Sequence, residues 1–153
     1  MIPRTCARLK LFSKSSGEVG KALVTALTLE EIRQQYGEST PRRQFLWRRL
    51  QTVARLLAET AHLRRLYLFG SFTMAKPTPN DLDCLAVTAT GFTTANLTSP
   101  LLEVFQHDRC RLYYHVDMFW VTEAIGRDHI DAILGVFSRD RSGAPQPIVE
   151  VNV

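Results

Sequence analysis

Apolar positions recur along this chain at two periods, and the switches between them mark out its elements. From residue 41 onward, Leu46, Leu50, Val53 and Leu57 return at helical spacing, which predicts a helix with one face on a core. Thr40-Pro41 supplies its start, with proline at the first helical position. A shorter helix is expected upstream, opened by the capping box Thr28-Leu-Glu-Glu31 and closed by Gly37. Residues 66–69 and 81–87 read as buried strands, joined by a loop that begins at Gly70-Ser71, and the Thr/Gly-rich stretch 88–98 as a further loop. Ser99-Pro100 opens a helix through about His107. Residues 110–121, dense in aromatic and β-branched side chains, are expected to form the clearest strand. Thr122 is expected to cap a helix reaching about Phe137, and a turn-rich segment leads to a terminal strand over 148–153. Strands interleaved with helices, with no repeat or linker, predict one α/β (α+β) domain over residues 1–153, a mixed β-sheet flanked by helices.

Composition narrows the setting. A chain of 153 residues can bury a core without disulfide or metal staples. No apolar stretch approaches the length of a membrane span, so the expectation is a soluble, cytoplasmic protein with no membrane partner. The basic start (Arg4, Arg8, Lys10, Lys14) lacks the apolar centre of a signal peptide and reads as a solvated arm or an edge strand. Cys6, Cys84 and Cys110 are an odd count without Cys-x-x-Cys spacing, which speaks for reduced, buried thiols and against a disulfide framework or zinc site. The net charge of +4 is compatible with an anionic partner. Arg42-Arg43 and Arg48-Arg49, on the long helix, form either a solvated face or a surface for such a partner, RNA or protein.

The chemistry concentrates after the first buried strand. Asp81 and Asp83, two apart at the mouth of the next strand, share a face while Leu82 points into the core. Paired carboxylates repel unless a cation lies between them, and hard oxygen ligands suit Mg²⁺ or Mn²⁺. Gly70-Ser71 can offer backbone N–H groups and a hydroxyl to a phosphate. Metal and phosphate sites this close suggest a nucleotide. Asp117 is a third acid, set within the aromatic run beside Arg111, Tyr113, His115 and Phe119 on its expected face. Burying it is costly unless it pairs or binds metal, and three converging carboxylates can hold two metal ions. Lys76 is either a solvated loop lysine or a phosphate ligand. His115 either orients Asp117 or is a half-buried structural histidine. Tyr113, Tyr114, Phe119 and Trp120 read as sheet packing, and His62, His107 and His129 show no ligand spacing.

Gly-Ser, a short spacer, Asp-x-Asp and one later Asp resemble the signature of the DNA polymerase β-like nucleotidyltransferase superfamily, particularly its minimal bacterial members. The run Pro41-Arg42-Arg43, Gly70-Ser71-Phe72, Lys76, Pro79 and Asp81-Leu82-Asp83 is similar to a small bacterial group of nucleotidyltransferase-like proteins. The resemblance covers roughly residues 28–120, with a catalytic core at about 40–121. It implies that Gly70 and Ser71 bind the β- and γ-phosphates of a nucleoside triphosphate such as ATP, with Lys76 as the nearby candidate for a further phosphate contact. Asp81 and Asp83 would bridge two Mg²⁺ ions (or Mn²⁺), and Asp117 would bind the catalytic metal and help activate an acceptor hydroxyl. It further implies transfer of a nucleotide to a protein or RNA acceptor, a partner protein or homo-oligomer that completes the site, and a toxin–antitoxin or defence setting. The chain departs from the pattern in a shorter, bulkier spacer, Phe72-Thr-Met-Ala75, where minimal members carry a second glycine and arginines. That departure motivates an alternative, a non-catalytic binding module that retains the fold.

Overall fold

Capping and hydrophobic burial place each element of the structure, a computed structural model that describes residues 22–153. The basic arm and Cys6 lie outside the described residues. The elements run β1 (Val24–Thr28), α1 (Leu29–Ile32), α2 (Pro41–Glu59), β2 (Leu63–Phe69), β3 (Leu82–Thr88), α3 (Leu101–Phe105), α4 (His107–Tyr114), β4 (Val116–Thr122), α5 (Arg127–Phe137) and β5 (Ile148–Asn152). The strands form one mixed sheet in the order β1-β5-β2-β3-β4. β2 pairs antiparallel with both β3 and β5, while β3–β4 and β1–β5 are parallel. The chain thus has the expected α/β class.

Thr28 caps α1 through the reciprocal pair with Glu31, and the helix runs on as a wider π-helical turn to Gly37. The Thr40 hydroxyl accepts from Arg43 N–H at 3.2 Å and starts α2. On α2, Leu46, Leu50, Val53 and Leu57 are fully buried. They belong to a core with Leu66 and Leu68 of β2, Cys84 and Ala86 of β3, and Val116 and Met118 of β4. Each buried leucine contributes about 1.5–3 kcal/mol of transfer free energy. The opposite sheet face carries Tyr67, Phe69, Leu85 and Val87, covered by Ile130 and Leu134 of α5. Strand alternation therefore sends β3 and β4 residues to two separate cores.

Four expectations are corrected. Residues 110–121 are not one strand: His107–Tyr114 is helical, and β4 starts only at Val116. Aromatic content favoured a strand there, but burying Cys110 against the α2 core through a helical crossover won over local propensity. Arg111, Tyr113 and His115 consequently do not lie on a strand face with Asp117, and Tyr113 and Tyr114 are not sheet residues. The helix expected from Ser99-Pro100 is two short ones, α3 and α4. Thr122 caps a 3₁₀ turn (Glu123–Ile125), and α5 begins only after Gly126, whose φ of 88° breaks the helical path. β1 was not expected at all. Most of its side chains are exposed, so it shows no apolar alternation.

Candidate functional site

The register of β3 against β4 sets Asp83 directly opposite Asp117, with Asp81 just before β3. Leu82 and Val116 point into the α2 core, so the two acids emerge on the α5 face. Oxygens of Asp81, Asp83 and Asp117 lie within 4.8 Å of one another, which brings together all three carboxylates expected from sequence. Asp117 is only 6% exposed, and its Oδ1 has no hydrogen-bond partner among the described residues. Two side-chain nitrogens approach that oxygen without bonding it: His107 Nε2 at 3.6 Å and Arg111 Nε at 3.5 Å. Arg111 also reaches Asp81 Oδ2 at 3.7 Å. His107 is oriented from its other nitrogen, Nδ1, which donates to the Met118 carbonyl at 3.3 Å.

Burial pushes the Asp83 carboxyl up to about 7, and the neighbouring charges of Asp81 and Asp117 push the same way. Arg111 and Arg141 pull against this, which places Arg141, in the turn before β5, within electrostatic reach of the cluster. A carboxylate held this far from its ordinary range is under-neutralised. An all-oxygen donor set with an orphaned buried oxygen fits a hard divalent cation, Mg²⁺ or Mn²⁺.

Gly70 and Ser71 open a 3₁₀ turn, Gly70–Thr73, at the end of β2. Phe69 pairs with Asp83 across the ladder, so the turn abuts the acids. Gly70 has φ 78°, and a Cβ there would collide with Asp83 Oδ2 and stand 3.0 Å from its Cγ. Glycine is required for this close approach. The Ser71 hydroxyl has no hydrogen bond among the described residues. Thr73 ties the turn down by donating to the carbonyls of Gly70 and Pro147 at 3.0 and 3.2 Å.

The arginine pair at the start of α2 holds the spacer loop, with Arg43 buried and Arg42 half-buried. Arg43, 4% exposed, donates to the carbonyls of Tyr36, Phe72, Met74 and Lys76 at 2.5–3.1 Å. Arg42 donates to the carbonyls of Pro79 (3.0 Å) and Asn80, just ahead of Asp81. Arg49 lies over the Phe45 ring at 4.9 Å, while Arg48 is exposed. Lys76 contributes its backbone to this clamp. Its side chain is exposed and makes no hydrogen bond or ion pair among the described residues.

His115 does not join the site. It adopts the left-handed conformation that ends α4, and its ring meets Phe45 edge-on at 5.1 Å. His107, to which the sequence assigned nothing, stands in the place expected of it. The missed signal is the spacing of His107 and Arg111, one helical turn apart and therefore on one face of α4. Phe69, Phe119 and Phe137 form an apolar floor beside the acids, with Phe69 and Phe137 stacked at 4.1 Å.

A family described as "Family of unknown function (DUF6932)" matches residues 15–152, and the chain belongs to it. No curated protein and no solved structure matches the chain. No helix among the described residues is long and apolar enough to cross a membrane.

Proposed function

We propose that this DUF6932 member is a metal-dependent nucleotidyltransferase, moving a nucleoside monophosphate from a nucleoside triphosphate to a hydroxyl of a protein or RNA acceptor. The observation that supports this most is the trio Asp81, Asp83 and Asp117, with Asp117 buried and its Oδ1 unpartnered. These three residues would hold the ions. Bound Mg²⁺ or Mn²⁺ would supply charge neutralisation for the phosphates and the departing pyrophosphate. Gly70 and Ser71 bind the β- and γ-phosphates, with the free Ser71 hydroxyl as donor, and Lys76 swings in from solvent. Asp117, as a ligand of the ion, would help activate the acceptor hydroxyl, whose proton passes to solvent. A bond forms from the acceptor's hydroxyl oxygen to the α-phosphorus as the bond from the α-phosphorus to the α–β bridging oxygen breaks, and pyrophosphate leaves. The apolar floor excludes competing water from one side of the site.

The test incubates the protein with Mg²⁺ or Mn²⁺ and each α-labelled nucleoside triphosphate, with cell RNA and lysate as acceptors. Label transfer that disappears in Asp81→Ala, Asp83→Ala and Asp117→Ala supports the enzyme. Nucleotide binding that is indifferent to metal, with no transfer, assigns the chain instead to a binding module on the same fold.

A further inference from the structure

The acids share a well-exposed cation, Arg111, that metal chelation does not account for. Arg111 leans across the cluster from α4, with Nε on Asp117 and its terminal nitrogen on Asp81. Both separations exceed hydrogen-bond length, and Asp117 Oδ1 stays unbonded beneath it. The side chain is 57% exposed and makes no hydrogen bond among the described residues, so its hold on the acids is electrostatic and weak.

Building on the metal-dependent reading above, we propose that Arg111 is a nucleotide-binding residue released by metal. Without metal, its guanidinium stands in for the ion between Asp81 and Asp117. A divalent ion held by the same carboxylates would neutralise them and so remove the guanidinium's electrostatic partner. The freed arginine then meets the anionic triphosphate. Its planar fork suits phosphate oxygens, and Arg141 flanks the same cluster. Metal and nucleotide binding are thereby coupled through one side chain: the ion competes with Arg111, and the nucleotide recruits it.

The experiment titrates full-length protein with Mn²⁺ by calorimetry. It then titrates α,β-methylene analogues of the four nucleoside triphosphates at saturating Mn²⁺. In Arg111→Gln, Mn²⁺ binds about three- to tenfold tighter because two ion pairs, open to solvent only on the arginine side, no longer compete. The best-bound analogue binds at least about tenfold weaker, as loss of one charged phosphate contact requires. Arg111→Lys recovers part of the nucleotide affinity. A residue that merely supports the fold would not move the two affinities in opposite directions. Mn²⁺ affinity that falls or stays unchanged in Arg111→Gln, or nucleotide affinity that stays unchanged, overturns the role of Arg111. Mn²⁺ that fails to bind the wild type, or binds Asp83→Asn as tightly, overturns the metal reading itself.

Discussion

Replacing Asp83 with asparagine should stabilise the metal-free protein, and by an amount that depends on pH. The Asp83 carboxyl rises from its ordinary 3.8 to about 7, first through burial and then through Asp81 and Asp117. A raised carboxyl binds its proton more tightly in the folded state than in the unfolded one. Its contribution to stability is therefore fully present below about pH 4 and is lost as pH rises through about 7. A shift of this size corresponds to at most on the order of 4 kcal/mol, accumulated at about 1.4 kcal/mol per pH unit. The asparagine amide has nearly the same shape and does not titrate. In urea denaturation with EDTA, wild type and Asp83→Asn should match near pH 4. The variant should become progressively more stable towards pH 8. Mg²⁺ at about a hundredfold over its dissociation constant should then return about 2.7 kcal/mol to the wild type and almost nothing to the variant. A difference that is the same at pH 4 and pH 8, or a variant that is less stable at pH 8, would refute an unneutralised buried Asp83.

Two further substitutions probe how the site is assembled. Gly70→Ala demands a left-handed backbone of a residue with a Cβ, at a cost of about 1–2 kcal/mol, and its methyl displaces the Asp83 carboxylate. Mn²⁺ affinity measured by calorimetry should fall at least about tenfold, and unchanged affinity would show that the turn does not buttress the acid. Arg43→Ala strips the donors from four carbonyls, the Phe72 bond being buried, and should cost about 3 kcal/mol in urea denaturation. Hydrogen exchange should accelerate first in residues 72–80, and protection there equal to wild type would argue against the clamp.

Local chemistry made much of the molecule legible from its residues. The Thr28 box and the Thr40-Pro41 start are decided within one helical turn, so their caps stand where expected. The α2 face follows from spacing alone, because only one side of a helix can meet a core. Gly70-Ser71 and Asp81-x-Asp83 were visible because each is a short motif whose chemistry is carried by neighbours in sequence. Residues 107–114 were not legible: Cys-Arg-Leu-Tyr-Tyr suits a strand or a helix over so short a run, and the choice fell to what Cys110 packs against. The misreading hid His107 and Arg111, which share a face only if the segment is helical. β1 escaped because its partner, β5, lies at the far end of the chain and its own side chains are mostly exposed.

The sequence by itself determined which acids, glycine and hydroxyl are available and that Asp81 and Asp83 stand two apart at the mouth of a buried strand. Only the tertiary structure decided that Asp83 faces Asp117, through a parallel register set by the α3–α4 crossover. It alone turned Arg42 and Arg43 from a basic patch into the clamp on the spacer loop. The physical reason is common to both. Pairing register and carbonyl-to-guanidinium contacts join residues distant in sequence, and no periodicity along the chain encodes which distant partner a side chain will meet.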